Sequence, residues 1–148
     1  MKPANFLVNI RLITKLHESM LKDVCEQYHL ALLEANIISF LHNNPGKDTA
    51  GDIVELRMLS KGNVSQGVET LIQKKLLSRT PDKTDRRKIH LALLPEAQPV
   101  TDAIDAFQAQ LGEELFQGFS AEEFERFNAL NHRLMENAKN ARKRRETK

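Results

Sequence analysis

A chain of 148 residues, 41% hydrophobic and 28% charged, has the length and balance of one domain able to bury its own core. No apolar run approaches the roughly 18 residues of a membrane span, and the start, MKPANFLVNIRLITKLHESM, is amphipathic rather than a cleavable leader, so a soluble cytoplasmic protein with no membrane partner is expected. The net charge of +2 is segregated: residues 57–91 carry nine Lys/Arg against three Asp/Glu, residues 139–148 carry six against one, and the remainder is acidic, as expected of a protein that meets a polyanion.

Residues 5–28 read as a long helix, with Phe6, Leu7, Ile10, Ile13, Met20, Leu21, Val24 and Tyr28 at helical spacing and Leu12 and Leu16 widening the stripe. That much apolar surface on one helix calls for packing outside its own domain, and a second copy of the chain is the simplest partner; burial against the chain's own C-terminal helices is compatible with it. A second helix covers 32–43, with Leu33, Ile37, Ile38 and Leu41 apolar, and Asn43, Asn44, Pro45 and Gly46 stop it. Thr49 reads as the N-cap of a third helix at about 50–58, with Asp52 near the positive end of its dipole. Ser60 opens a fourth, from Lys61 to about Lys75, whose core face is Val64, Val68, Leu71 and Ile72. Its other face presents Lys61, Asn63, Ser65, Gln66 and Thr70, with Gly62 in the first turn. Gly67 either admits a close neighbour or is simply tolerated, at a cost of about 1 kcal/mol.

The tight turn between the third and fourth helices, and the polar first turn of the fourth, fit a helix-turn-helix whose second helix enters the DNA major groove by its N-terminal end. Asn and Gln bond adenine edges, Lys donates to guanine and Ser holds phosphate. A polar face is also what any solvent-facing helix shows. Two β-compatible runs follow, 76–80 and 89–93, separated by the turn-rich loop PDKTDRRK. Alternation places Ile89, Leu91 and Leu93 on one side of the second strand and His90 and Ala92 on the other. Lys83, Arg86, Arg87 and Lys88 sit at the tip, where a narrow minor groove attracts a cation. Helix, helix and basic hairpin make a winged helix.

The sequence resembles the multiple-antibiotic-resistance regulator (MarR) family of winged-helix transcription factors. The string from Asp52 to Ser65, DIVELRMLSKGNVS, fits the family's helix-turn-helix rhythm. Asp85-Arg86-Arg87, followed by the strand with Leu91 and Leu93, matches its D-x-R wing. The order of elements matches over essentially the whole chain. The resemblance implies a homodimer on a pseudo-palindromic operator, with helix 61–75 in the major groove. Arg87 is then implied to reach the minor groove, Asp85 to steady it by an ion pair, and Arg86 to bind phosphate. The family's usual arrangement also implies a small-molecule effector. Lys75 and Met58 stand where the family often has glycine, and Leu94 and Ala97 where it often has Thr and Gly.

In the C-terminal half Pro95 suits a helix start, and Pro99 is expected to loosen the first turns. Val100, Ile104, Phe107, Leu111, Leu115 and Phe116 then run at helical spacing to Gly118. Ser120 and Glu123 form a capping box, Phe119 and Phe124 a hydrophobic staple, and a last helix continues through Phe127, Leu130 and Leu134. Its basic, apolar-poor end, KNARKRRETK, is expected to fray. The expected organisation is a single domain over 1–148, mainly α with a small β-hairpin wing. Its winged helix-turn-helix lobe spans 32–94, flanked by dimerisation helices at 5–28 and 95–145.

No Gly-rich phosphate loop, nucleophile elbow or paired metal motif is present, so neither an enzyme nor a cofactor is expected. Cys25, Glu26, His29, Glu34 and His42 lie on the first two helices or the turn between them, but a closed site needs three or four convergent ligands, and no metal is expected. Cys25 is the candidate redox residue, although its apolar neighbours favour an inert thiol. The expected function is that of a sequence-specific DNA-binding regulator, a repressor responding to an effector, with Ser60, Lys61, Asn63, Ser65, Gln66, Thr70, Arg86 and Arg87 on the DNA. The alternative is a winged-helix module for protein or RNA contact.

Overall fold

The apolar spacing becomes helix and the two β-compatible runs become a hairpin in the computed structural model, which describes residues 3–57 and 59–147. In chain order the elements are α1 (Ala4–Tyr28), α2 (Leu32–Asn43), α3 (Ala50–Arg57), α4 (Lys61–Gln73), β1 (Leu77–Pro81), β2 (Ile89–Leu93), a 3-10 turn (Pro95–Ala97), α5 (Gln98–Leu115) and α6 (Ala121–Glu146). Met58, read as the end of the third helix and as a turn position, lies outside the described residues. Among the described residues no helix is long and apolar enough to cross a membrane.

Each boundary has a local cause. At the end of α1, His29 takes a left-handed φ of 55° and its N–H, like that of Leu30, turns back to the Cys25 carbonyl. Ala31, before α2, has no side-chain acceptor, but Glu34 Oε1 accepts its N–H at 3.0 Å. Thr49 and Asp52 cap α3 reciprocally, each side chain accepting the other's N–H at 3.1 Å. Ser60 Oγ accepts the Asn63 N–H at 3.1 Å and starts α4. A Schellman turn ends α4 two residues earlier than periodicity indicates: Lys75 adopts φ 62°, its N–H reaches the Ile72 carbonyl, and that of Leu76 reaches Leu71. Leu76 is thereby taken from the strand, and β1 begins at Leu77. Pro95 and Pro99 fall in the 3-10 turn and at the second residue of α5, where missing N–H groups cost little.

β1 and β2 pair antiparallel, with Leu77 opposite Leu93 and Thr80 opposite His90. The segment before α3 lies along the free edge of β2: the Asp48 carbonyl accepts the Leu91 N–H at 2.8 Å, and Thr49 bridges to His90. Of the three residues expected on one side of β2, Leu91 is buried and Leu93 partly so. Ile89 is exposed, because it pairs with Pro81 at the loop end of the hairpin, beyond the core.

The chain divides into two units, one running to Ala109 and one from Gln110. In the first, α2 is the central helix: Glu34, Ala35, Ile37, Ile38, Ser39 and Phe40 are all buried. Around it pack Leu21 and Val24 of α1, Ile53 of α3, Val64 and Leu71 of α4, Leu77 and Leu91 of the hairpin, and Val100, Ile104 and Phe107 of α5. Gly67 is the close approach on α4: a Cβ there would stand 2.6 Å from Ile37 Cδ1 and 3.2 Å from Leu33 Cγ. The first half of α1 stays outside this core, with Leu7 and Leu12 exposed at 58% and 66%.

In the second unit Phe116 meets Phe119, Phe124 and Phe127 edge to face at 4.7–5.2 Å, across a turn where Gly118 has φ 84°. Ser120 and Glu123 cap α6 as expected from sequence, and the bonds from Ser120 hold the Glu123 carboxyl below its usual range. The basic end of α6, expected to fray, is helical to Glu146. Lys143, Arg144 and Arg145 suit the negative end of the helix dipole, and Arg142 Nε pairs with Glu146 at 3.0 Å. None of α6 is buried, and Phe124, Phe127, Leu130, Leu134 and Met135 are all exposed.

Candidate nucleic-acid interface

The periodicity that buries Val64, Gly67, Val68 and Leu71 against α2 turns Lys61, Asn63, Ser65 and Gln66 outward on the first turns of α4. Thr70 is half-buried and donates its hydroxyl to the Gln66 carbonyl at 3.0 Å. The Ser60 hydroxyl oxygen already accepts the Asn63 N–H in the cap. The first turn of α4 contains no acid, unlike those of α2, α3 and α6, so no side chain of its own compensates the positive end of the dipole. One acid farther along, Glu69, is paired with Arg79 of β1 at 2.9 Å.

Arg86 and Arg87 lie together in the loop between β1 and β2. Arg87 has 92% of its side chain in solvent, while Asp85 Oδ1 accepts its backbone N–H at 3.0 Å and stands 3.4 Å from its Nε. Among the described residues Lys61, Lys83, Arg86 and Lys88 have no carboxylate within ion-pair distance. The loop has an internal scaffold: Asp82 Oδ2 accepts from Thr84 N, Thr84 Oγ1 and Asp85 N at 2.8–3.0 Å, and the Lys88 N–H closes the turn on the Asp85 carbonyl. Asp82 Oδ1 lies 2.7 Å from His90 Nε2, and Asp48 Oδ1 lies 2.9 Å from His90 Nδ1. The His90 bond, then those from Asp85 and Thr84, hold the Asp82 carboxyl far below the usual range. Bonds to Asp82 and then Asp48 raise the His90 pKa above its ordinary 6.5.

Sequence reasoning missed the residues that tie these parts down. His90 was only the polar side of a strand, because its two partners lie 42 and 8 residues back. Glu34, buried at the start of α2, accepts from Lys74 Nζ at 2.6 Å, and the same ammonium donates to the His29 carbonyl at 3.1 Å, so the end of α4 is moored to the turn between α1 and α2. The one signal for it was an acid on the apolar face of α2.

The acids and histidines of the first two helices are drawn apart, Glu34 to Lys74 and His42 to Asp105 of α5 at 2.8 Å. Among the described residues no three His, Cys, Asp or Glu side chains are grouped to hold a metal ion. Cys25 is buried, and burial, then Glu34, pushes its thiol up, so the reactive thiolate is scarce.

Residues 30–88, the segment containing α2 to the wing loop, match the MarR family model. The regulator TcaR of Staphylococcus aureus is 23% identical over 135 residues, covering 87% of this chain and 86% of its own. Two solved structures share the fold. BpsR of Bordetella bronchiseptica, whose DNA binding is regulated by 6-hydroxynicotinic acid, is 20% identical with a TM-score of 0.65 over 90% of this chain and 99% of its own. MepR of S. aureus in complex with DNA is 20% identical with a TM-score of 0.70 over 89% and 97%. The helix-turn-helix and wing loop are thus matched by the MarR family model, and the order of elements is shared with these structures along nearly the whole chain, so the protein is similar to the MarR family and has its winged-helix fold.

Proposed function

We propose that the chain is a sequence-specific DNA-binding repressor that works as a homodimer on a pseudo-palindromic operator in the cytoplasm. The observation that carries this reading is the pairing of an acid-free, polar helix start on α4 with a scaffolded loop whose cations point into solvent. Lys61, Asn63, Ser65 and Gln66, with Thr70 one turn on, read base edges in the major groove. Ser60 orders the first turn at the phosphates, Arg87 enters the minor groove, and Arg86 holds backbone phosphate. The DNA-bound MepR structure of the same fold supports this use.

The dimer follows from the exposed apolar residues of α1 and α6, which a single chain leaves in water, and from the need to hold two reading helices about one DNA turn apart. Repression then needs no further chemistry, since an occupied operator excludes polymerase. A small-molecule effector that lowers operator affinity completes the regulator, as BpsR illustrates for its own ligand. Binding of a promoter duplex against a scrambled one, at rising salt, tests the reading. Selective binding that weakens steeply with salt is expected. Equal affinity for both duplexes favours a winged helix used for protein or RNA contact instead.

A further inference from the structure

We infer that His90 is the positioning residue of the wing: clamped between Asp82 of the loop and Asp48 of the segment before α3, it sets how Arg86 and Arg87 are presented, and duplex binding weakens when the imidazole loses its second proton. The inference rests on the DNA-binding reading for its binding arm and on geometry alone for its structural arm.

Both imidazole nitrogens face a carboxylate oxygen, at 2.7 and 2.9 Å. Ionised carboxylates only accept, and a neutral imidazole donates from one nitrogen while the other offers a lone pair. Both contacts are therefore hydrogen bonds only when the ring is imidazolium; deprotonation turns one of them into a lone pair against an oxygen. The consequence passes to the tip along a continuous chain of bonds. Asp48 also holds β2 through its carbonyl, His90 joins Asp48 to Asp82, Asp82 gathers Thr84 and Asp85, and Asp85 takes the Arg87 N–H.

The charged groups acting on the ring are Asp82 from the hairpin loop and Asp48 from the strand-like segment before α3; neither α2 nor α3, which also pack on β2, adds another. The first acid of α3, Asp52, is occupied by Thr49. Because the bound state raises the His90 pKa, the clamp is fully present below the ordinary 6.5 and is lost as pH rises through the raised value. On the acid side it persists until Asp82, held far below the usual carboxylate range, takes up a proton.

The test uses the full-length protein and a mixed-sequence duplex of about 30 base pairs, long enough for two half-sites, between about pH 5.5 and pH 8.5. Nuclear magnetic resonance follows the His90 ring and the amide order of residues 83–88 without DNA, and fluorescence anisotropy follows duplex affinity. The expected result is loss of loop order and a several-fold loss of affinity over the same pH interval as the ring titrates. Asp48→Asn should move that interval to lower pH, and His90→Gln, which cannot titrate, should flatten the affinity profile. Loop order that ignores the ring's titration overturns the inference, as does a His90→Gln protein with the wild-type pH profile. If His90→Gln fails to fold, an unmoved midpoint in Asp48→Asn overturns it equally. A wild-type protein that binds no duplex at any pH, while its loop still tightens with the ring, overturns the DNA-binding reading and supports the clamp.

Discussion

Arg87 holds its charge in solvent, steadied by Asp85 rather than neutralised in a buried pair. An exposed pair of that kind adds little to stability. Arg87→Ala is therefore expected to leave the urea midpoint unchanged while weakening operator binding by about 1–3 kcal/mol; equal losses in both measurements would make the arginine structural. Lys75 presents the converse case. It occupies a left-handed conformation, φ 62°, at the position where the family often carries glycine, and a side chain there costs about 1 kcal/mol. Lys75→Gly should raise stability by about 0.5 kcal/mol, the strain relieved less the extra freedom glycine gains in the unfolded chain. Urea denaturation gives the sign directly. The departure was visible in the sequence, but its backbone angle was not, since lysine carries no mark of a forced φ.

At the scale of elements, α4 shows why pattern alone left Gly67 open. Nothing stands within 4 Å of a Cβ at Gly62, in the first turn, while one at Gly67 collides with Ile37 inside the core. Gly67→Ala should destabilise by about 1–2 kcal/mol, overpacking outweighing the gain in helix propensity. Gly62→Ala should stabilise by up to about 0.5 kcal/mol, a first-turn position being worth less than a helix interior. Thermal unfolding of the two variants side by side is the check, and matched shifts would contradict this packing of α4 on α2.

What was local was legible. The caps at Thr49, Ser60 and Ser120 and the order of helices and hairpin follow from spacing and short-range polar chemistry. What depended on distant residues was not. The burial of Glu34 against Lys74 joins positions 40 residues apart, the clamping of His90 joins positions 42 and 8 residues apart, and no periodicity encodes such a pairing. The composition at the end of α6 pointed to fraying, while the Arg142–Glu146 pair and dipole-matched charges support the helix seen to Glu146.

At the scale of the molecule, charge and apolar surface are partly segregated. Cations gather on the stretch from Arg57 through the wing and at the end of α6, and most of the exposed large apolar side chains lie on the first half of α1 and the earlier turns of α6. Under the proposed function, the cations of the first stretch meet phosphate and the apolar side chains meet another copy of the same chain. Selection of duplexes from a random pool by the full-length protein, followed by sequencing, tests that account most directly because base preference and half-site geometry are read together. An enriched inverted repeat with half-site centres about one helical turn apart is expected. A recovered pool no different in sequence from the input would contradict it.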